Sequence, residues 1–299
     1  MTTTGHTPAG GNSVPGQWDI TESVGLTALA VAAARAAESE RREALVRDRF
    51  ANDFVRASGH PMPTGTDGSG AAWTALVDMM AVRSRVLDDL LLRAVTDGIR
   101  QVVVLAAGLD ARAFRVAWPA GTTLYEVDQP PVIEFKQRVL DVSGARPACR
   151  RRTVPVDLRD DWGSALREAG FDPSTPTAWL VEGLLPYLPA QAEADLFVDV
   201  DALSAPGSRM AIEAIALDHA DEFVGRPEVR ELGAAMGTEL RELWNTEPRV
   251  DVVDRLTAAG WTVRPRQVAE LGAELGRPFD DDLGAMAGLS RIVDASRSA

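Results

Sequence analysis

Short, continuously apolar runs that recur between helix-like segments are the feature that most constrains the fold of this chain. The first run is Val102 to Ala106, and four more follow at Thr122 to Val127, Arg152 to Val156, Ala178 to Val181 and Arg209 to Ile215. Runs of this kind are typical of strands that are covered on both faces. Strands that alternate with helices predict βαβ units, and therefore an α/β fold with a mostly parallel sheet and helices on both of its faces.

The hundred residues before the first run predict helices and no strand. Glu22 to Glu40 is rich in strong helix formers, Glu43 to Arg56 predicts a second, amphipathic helix, and Ala71 to Thr96 carries apolar residues at helical spacing. Strand-like sequence returns late in the chain, at Trp261 to Val263 and near Leu289 to Val293. The helical beginning is therefore expected to be an addition to the sheet rather than part of it.

The charge balance excludes several classes of partner. The 299 residues include 31 Lys and Arg against 44 Asp and Glu, which gives a formal net charge of −13. Binding to nucleic acid or to an anionic membrane surface depends on basic side chains, so we expect neither partner. The one cysteine, Cys149, allows no intrachain disulfide, and the three widely separated histidines predict no metal site. With no recognisable signal peptide or membrane span, the expected location is cytoplasmic.

The residues that directly follow the first two predicted strands are candidates for a ligand site, because open parallel sheets bind ligands beyond the carboxyl ends of their strands. Gly108 lies in the turn after the first strand, where the backbone can approach a ligand closely. Asp128 ends the second strand 20 residues later, which is the spacing of the carboxylate that accepts hydrogen bonds from ribose hydroxyls. Two plainer roles stay open at this point, namely a simple turn glycine and an N-cap for a helix that begins at Pro130.

The third and fourth strand ends carry carboxylates as well. Asp157 could accept a hydrogen bond from an exocyclic amine while Leu158 packs on the face of a base, or Asp157 could cap the next helix. Glu182 precedes an apolar, proline-containing loop, and such a loop beside a carboxylate suggests a pocket wall. The alternative for this loop is burial under the N-terminal helices.

Four successive strand ends with a glycine or a carboxylate point to an adenosine-type ligand, either a nicotinamide dinucleotide or S-adenosyl-L-methionine. A dinucleotide needs a phosphate-binding turn that leads into a helix N-terminus. Asp110 lies in that turn, and its carboxylate would repel a pyrophosphate. The positively charged sulfonium of S-adenosyl-L-methionine meets no such repulsion, so the residues favour this cofactor.

Several longer motifs add a resemblance that extends from about Thr21 to Val263. They are TALAVAAARAAESE (Thr27 to Glu40), VVVLAAGLDARAFRVAWP (Val102 to Pro119), YEVDQPPVIEFK (Tyr125 to Lys136), VPVDLRDDW (Val154 to Trp162) and WLVEGLLPYLP (Trp179 to Pro189). In this order the motifs resemble the leucine carboxyl methyltransferase-like family, and most closely its actinobacterial O-methyltransferases related to polyketide carboxyl methylases. The resemblance implies a Rossmann-like methyltransferase fold with a mostly parallel seven-stranded sheet and an N-terminal helical cover over the cofactor site.

The resemblance also implies roles for individual residues. An arginine of the helix before the first strand would grip the methionine carboxylate of the cofactor, and Arg83 in AVRSRVLDDL is the best match. Ala106 stands where the family more usually has glycine. The remaining implied contacts follow the length of the cofactor, with Gly108 at its methionine portion, Asp128 at the ribose, Asp157 and Leu158 at the adenine, and Glu182 near the amino group.

Our functional hypothesis is an S-adenosyl-L-methionine-dependent methyltransferase that O-methylates a carboxylate, or else a hydroxyl, of a small molecule. A carboxylate acceptor is already ionised at neutral pH, whereas a hydroxyl acceptor would require a general base, for which Tyr187 or Glu182 are the candidates. No residue is assigned as catalytic, and the oligomeric state is left open. The alternatives are a catalytically degenerate methyltransferase fold that acts as a binding module and an NAD-dependent oxidoreductase.

The sequence predicts a single domain at residues 21–299 after a disordered tail at residues 1–20. About 160 to 190 residues would form the sheet domain, and the surplus would cover it. The predicted parts of the domain are a helical N-terminal cover at 21–100, a cofactor-binding core at 101–215, an insertion or lid at 216–248 and the C-terminal end of the core at 249–299.

Overall fold

The computed structural model of the protein describes residues 24–63, 65, 70–216, 225–235, 243–279 and 284–298. Seven strands of these residues form one sheet, namely β1 (Gln101–Leu105), β2 (Thr123–Asp128), β3 (Arg150–Pro155), β4 (Thr177–Val181), β5 (Arg209–Ile215), β6 (Thr262–Gln267) and β7 (Ser290–Ser296). Their order in the sheet is β3-β2-β1-β4-β5-β7-β6. The pairs within β1 to β5 are parallel, whereas β7 runs antiparallel to β5 and to β6. The predicted α/β fold with a mostly parallel seven-stranded sheet is confirmed.

Helices connect the strands and cover both faces of the sheet. The described helices are α1 (Val24–Glu40), α2 (Ala51–Ser58), α3 (Ala71–Thr96), α4 (Arg112–Arg115), α5 (Pro130–Val142), α6 (Trp162–Glu168), α7 (Ala190–Ala202), α8 (Pro227–Ala235), α9 (Val252–Ala258), α10 (Val268–Glu274) and α11 (Gly284–Leu289), with a 3-10 turn at Leu185–Tyr187. None of the described helices has both the length and the apolar composition that a membrane span requires.

The continuous apolar sequence of β1 is explained by its position at the centre of the sheet. Successive side chains of a strand point to opposite faces. Val102 and Val104 therefore join the core formed with α1, α2, α3 and α5, whereas Val103 and Leu105 join the core formed with α6, α7 and α9. Every residue of β1 is buried, because helices cover the sheet on both sides.

The N-terminal helices are bundled on one face of the sheet. α3 packs against α1, and it also contacts β4 and β5 near the middle of the sheet. This helix begins and ends at the predicted residues, Ala71 and Thr96, and it supplies a long row of buried side chains to the first core. The N-terminal third of the chain is therefore attached directly to the strands that carry the predicted site.

The predicted second helix was wrong in its first half, because α2 begins only at Ala51. The residues before it are held in an irregular conformation by bonds between side chains and backbone. Asp48 Oδ1 accepts a hydrogen bond from the N–H of Phe50 at 3.0 Å, and the Oγ of Ser39 accepts one from the N–H of Asp48 at 2.8 Å. Such bonds compete with a helix for the same backbone groups, and they outweigh the helical pattern here.

Two predicted segments lie wholly or partly outside the described residues. The tail at 1–20 lies entirely outside them. Of the insertion at 216–248, the structure describes residue 216, residues 225–235, which include α8, and residues 243–248. The division of the chain into cover, core and insertion stays a prediction.

Candidate functional site

A cavity of about 560 Å³ lies at the carboxyl ends of β1, β2, β3 and β4. Its walls include the residues that directly follow each of these strands, together with side chains of α1 and α3. This is the edge at which open parallel sheets bind their ligands. The structure brings to this one cavity all six residues predicted for the site, which are Arg83, Gly108, Asp128, Asp157, Leu158 and Glu182.

The turn after β1 has a backbone conformation that favours glycine. Gly108 has a φ of +42° and Ala106 a φ of +50°. Both angles lie in the left-handed region, which glycine adopts freely and which costs alanine about 1–2 kcal/mol. Ala106, for which the resemblance implied glycine as the more usual residue, thus adopts a backbone conformation that favours glycine.

Asp128 connects this turn to the end of β2. Its Oδ2 accepts a hydrogen bond from the N–H of Gly108 at 2.6 Å, and its Oδ1 accepts one from the N–H of Gln129 at 2.7 Å. Burial raises the pKa of Asp128, although the two N–H donors act in the opposite direction. The N-cap residue of α5 is Gln129, so Asp128 does not cap this helix, and each of its oxygens keeps a second lone pair for a ligand.

Asp157 and Leu158 follow β3 on the same side of the cavity. Asp157 forms an ion pair with Arg159 at 2.6 Å and accepts a hydrogen bond from Nε2 of Gln129 at 2.9 Å. The hydrogen bond with Arg159 lowers the pKa of Asp157. The N-cap of α6 is Asp161, which leaves Asp157 free of the capping role that was its alternative.

Arg83 extends from α3 to two carboxylates, Glu182 directly after β4 and Glu213 within β5. Its Nη1 donates to both oxygens of Glu213, at 2.9 and 3.0 Å, and its Nε lies 2.9 Å from Oε1 of Glu182. Glu213 also accepts a hydrogen bond from the N–H of Gly183 at 2.8 Å. The structure thus pairs Arg83 with carboxylates of the protein itself, and its contact with a methionine carboxylate stays a prediction.

Arg112, at the start of α4, had no predicted role but lies at the centre of a cluster of charged side chains. This cluster, which includes Arg83, Asp110 and Glu182, lines part of the cavity and is called the charged wall below. Its Nη1 lies 2.6 Å from Oε2 of Glu182 and also pairs with Asp110, while its Nε lies 2.6 Å from Oδ1 of Asp88. Arg112 is buried and lines the cavity. Its position in LDARAFR, a strand-end motif with two arginines among apolar residues, is the signal that could have identified it.

Arg35 of α1 is a second arginine without a predicted role. Its Nη2 donates to the carbonyl oxygen of Leu109 at 2.8 Å, and its Nε donates to Oδ2 of Asp48 at 3.0 Å. The side chain is buried and lines the cavity. A single arginine inside an alanine-rich helix was the available signal, because a buried charge in such a helix needs partners.

Two carboxylates of this charged wall are more exposed than the guanidinium groups that pair with them. The side chains of Glu182 and Asp110 are 13% and 12% exposed, compared with 3% for Arg112 and 7% for Arg83. Burial acts to raise the pKa values of both acids, but the neighbouring guanidinium of Arg112 holds them below the usual range. Both carboxylates are therefore ionised at neutral pH, and they offer negative charge to a ligand beside the guanidinium groups of Arg83 and Arg112, which also line the cavity.

Another part of the cavity lining consists largely of small and apolar side chains around Tyr187. The hydroxyl of Tyr187 is hydrogen-bonded to Thr27 of α1 and to Trp244, and burial raises its pKa. Its neighbours along the chain, Leu184 and Leu188, also line the cavity. The apolar loop after β4 thus forms part of the pocket wall and also contacts the N-terminal helices. Both roles considered for this loop therefore apply.

Comparison with known proteins agrees with this architecture. The family model described as leucine carboxyl methyltransferase matches residues 28–201. A protein of Saccharopolyspora erythraea, named as a candidate S-adenosyl-L-methionine-dependent methyltransferase, is 48% identical over 283 residues, which cover 94% of this chain and 98% of that protein. A protein of Mycobacteroides abscessus with the same name is 46% identical, with coverage of 89% of this chain and 93% of that protein.

Solved structures show likeness in fold alone. A candidate methyltransferase from Thermobifida fusca has a TM-score of 0.50 at 17% identity, over 90% of this chain and 94% of that chain. A DUF574 family protein from Streptomyces avermitilis has a TM-score of 0.51 at 14% identity, over 90% of this chain and 97% of that chain. The fold is that of the Rossmann-like methyltransferase class.

Within that class the family is defined by the model match and by the two relatives. The match covers more than half of the chain, and each relative is far above 30% identity over nearly its whole length. The chain belongs to the leucine carboxyl methyltransferase family.

Proposed function

We propose that the protein transfers a methyl group from S-adenosyl-L-methionine, bound in the central cavity, to a carboxylate of a small molecule. The enzyme class is that of S-adenosyl-L-methionine-dependent methyltransferases, the activity in the names of the Saccharopolyspora and Mycobacteroides relatives. The observation that carries the assignment of the cofactor to this cavity is the convergence of a left-handed glycine turn and several carboxylates at the ends of four parallel strands.

The residues at the ends of β3, β2, β1 and β4, which are neighbours in the sheet in this order, fit successive parts of this cofactor from the adenine to the ammonium group. Asp128 has two lone pairs free for the ribose diol, because each of its oxygens already accepts one backbone N–H. Asp157 and Leu158 would hold the adenine. The turn at Gly108 would admit the methionine chain, and Glu182 would accept from its ammonium group.

The charge of the wall favours the sulfonium cofactor over a dinucleotide. Asp110 and Glu182 are the more exposed members of their ion pairs, so carboxylates are the more accessible charged groups beside the turn. A pyrophosphate at this position would face like charge, whereas a sulfonium and an ammonium would be attracted. The chemistry of the wall therefore agrees with the cofactor named for the relatives.

The cofactor supplies an activated methyl group, so the chain's main contribution is to position the acceptor oxygen in line with it. Positioning of this kind can contribute roughly 7–11 kcal/mol to the reaction without an acid or a base. Glu182 is a poor base, because Arg112 and Arg83 hold its pKa below the usual range. Tyr187 stays protonated, because burial raises its pKa. These two observations favour an acceptor that is already ionised, such as a carboxylate.

The acceptor is expected to be a small molecule with an apolar body. The wall around Tyr187 offers mainly small and apolar side chains, which are Ala28, Val31, Leu184, Leu188, Pro189 and Ala192. Ligand cavities of this volume enclose drug-sized molecules. The net charge of −13 supports the same choice, since it disfavours nucleic acid as the acceptor.

Two experiments test the proposal. Calorimetric titration with S-adenosyl-L-methionine and with NAD is expected to show binding of the first only, and binding of NAD alone would support an oxidoreductase instead. Incubation with a panel of apolar carboxylic acids and their matched alcohols is then expected to release S-adenosylhomocysteine with acids only. Turnover of the alcohols would overturn the choice of a carboxylate acceptor, and cofactor binding without turnover of any acceptor would favour a binding module.

A further inference from the structure

We infer that Asp88, a buried residue of α3 that does not line the cavity, is a positioning residue for the cofactor. It acts through Arg112 and Arg115, which do line the cavity. The inference rests on the proposed function, because it concerns how tightly the cavity holds the methionine end of S-adenosyl-L-methionine.

Asp88 makes three hydrogen bonds to the arginines of α4. Its Oδ1 accepts from Nε of Arg112 at 2.6 Å and from Nη2 of Arg115 at 2.9 Å, and its Oδ2 accepts from Nη1 of Arg115 at 2.5 Å. Charge-assisted bonds to a guanidinium group also fix its orientation. The two arginines are the first and last residues of α4, so Asp88 fixes this short helix from the neighbouring helix α3.

The charges of the cluster explain why Asp88 affects the ligand. Three guanidinium groups are packed with four carboxylates, which are Arg83, Arg112 and Arg115 with Asp88, Asp110, Glu182 and Glu213. Within the described part of the chain, Asp88 is the carboxylate that forms an ion pair with Arg115. Asp88 also draws the Nε side of Arg112 towards α3.

Loss of the charge on Asp88 would turn Arg112 more fully to its other partners, Asp110 and Glu182. These are the carboxylates that face the cavity, so less of their negative charge would remain for the ammonium group of the cofactor. Asp128 and Asp157 have no bond to this cluster in the described contacts. Binding of the methionine end should therefore weaken while binding of the adenosine end is retained.

The test compares Asp88→Asn with a control on the next residue of the same helix. Asp89 pairs with Arg85 at 2.9 Å on the half-exposed side of α3, so Asp89→Asn removes a carboxylate of equal size away from the site. Calorimetry is expected to give a dissociation constant for S-adenosyl-L-methionine raised about 10-fold in Asp88→Asn and unchanged in Asp89→Asn. In competition titrations, the affinity for 5′-methylthioadenosine, which lacks the amino-acid end, is expected to change less than about twofold.

Other outcomes would overturn the inference, and a charge-conserving variant tests it independently. An unchanged dissociation constant for S-adenosyl-L-methionine in folded Asp88→Asn overturns it, and so does an equal loss for both ligands, which indicates general damage to the fold. Asp88→Glu keeps the charge but moves the carboxylate by one methylene, so a smaller loss of affinity, about 2- to 5-fold, is expected for S-adenosyl-L-methionine. If Asp88→Asn does not fold, Asp88→Glu is the deciding variant. A loss of affinity of about 2- to 5-fold for S-adenosyl-L-methionine, but not for 5′-methylthioadenosine, would support the inference. An affinity equal to that of the wild-type protein would overturn it. Failure of the wild-type protein to bind S-adenosyl-L-methionine would instead refute the proposed function.

Discussion

Replacement of Asp128 by asparagine is expected to weaken binding of S-adenosyl-L-methionine although the side chain keeps its shape. In the protein, both carboxylate oxygens accept a backbone N–H, one from Gly108 at 2.6 Å and one from Gln129 at 2.7 Å. An amide has one acceptor oxygen and one NH₂ donor group. In either orientation, the NH₂ group of an asparagine would therefore face one of these two N–H donors.

The magnitude follows from the bonds that are lost. Hydrogen bonds to a charged group contribute about 1.5–3 kcal/mol, so loss of the charged acceptor at the ribose raises the dissociation constant about 10- to 100-fold. The orphaned backbone N–H should also lower the free energy of unfolding by about 1–2 kcal/mol. Asp160→Asn, an exposed change on the same edge of the sheet, should alter neither quantity.

Calorimetric titration and urea unfolding measure the two effects of Asp128→Asn separately. Burial raises the pKa of Asp128, so its carboxylate should become protonated at a higher pH than that of an exposed aspartate. The wild-type protein should therefore lose affinity for S-adenosyl-L-methionine as the pH falls through this range. Asp128→Asn should not show this pH-dependent loss. A folded Asp128→Asn protein that binds S-adenosyl-L-methionine within twofold of wild type would refute the assignment of Asp128 to the ribose.

Three further predictions concern the surroundings of the site. Ala106→Gly relieves the left-handed strain at φ +50° and should raise the free energy of unfolding by about 0.5–1 kcal/mol in urea; a decrease would contradict the strain. Lys136→Met removes a buried ammonium group 2.9 Å from Glu126 and leaves Arg151 as the ion-pair partner of that carboxylate among the described residues. It should cost about 3 kcal/mol of stability in thermal unfolding, the low end for a broken buried pair because Arg151 remains, and an unchanged transition would count against the ion pair. Burial raises the pKa of Cys149 to about 12, so alkylation by iodoacetamide at pH 8 should be at least about 100-fold slower than for a free cysteine, and comparable rates would contradict this.

The fold could be predicted from sequence largely because it is a buried parallel sheet. Helices on both faces require strands that are apolar throughout, and such runs stand out from the surrounding sequence. Arg209 to Ile215 and Ala71 to Thr96 were predicted with the bounds that the structure shows. The spacing between Gly108 and Asp128 also indicated a contact, since a turn and the next strand end must meet at one edge of the sheet.

The partners of the buried charges could not be predicted in the same way. Neither Glu213, within an apolar strand, nor Arg83, within a long helix, has a local pattern that identifies the other, because their contact depends on how α3 crosses the sheet. The start of α2 was missed for a related reason. Its position depends on the side-chain bonds of Asp48, which override the helical periodicity of the segment.

The ion pair between Arg83 and Glu213 has a consequence for the synthesis of the protein. The two residues are 130 positions apart in the chain. At a translation rate of about 5–20 residues per second, α3 precedes its partner strand by on the order of 10 s. During this interval the helix carries an arginine that cannot yet be buried with its carboxylates, so the N-terminal helices cannot settle on the sheet. We expect the nascent chain to become protease-resistant only after β5 has left the ribosome.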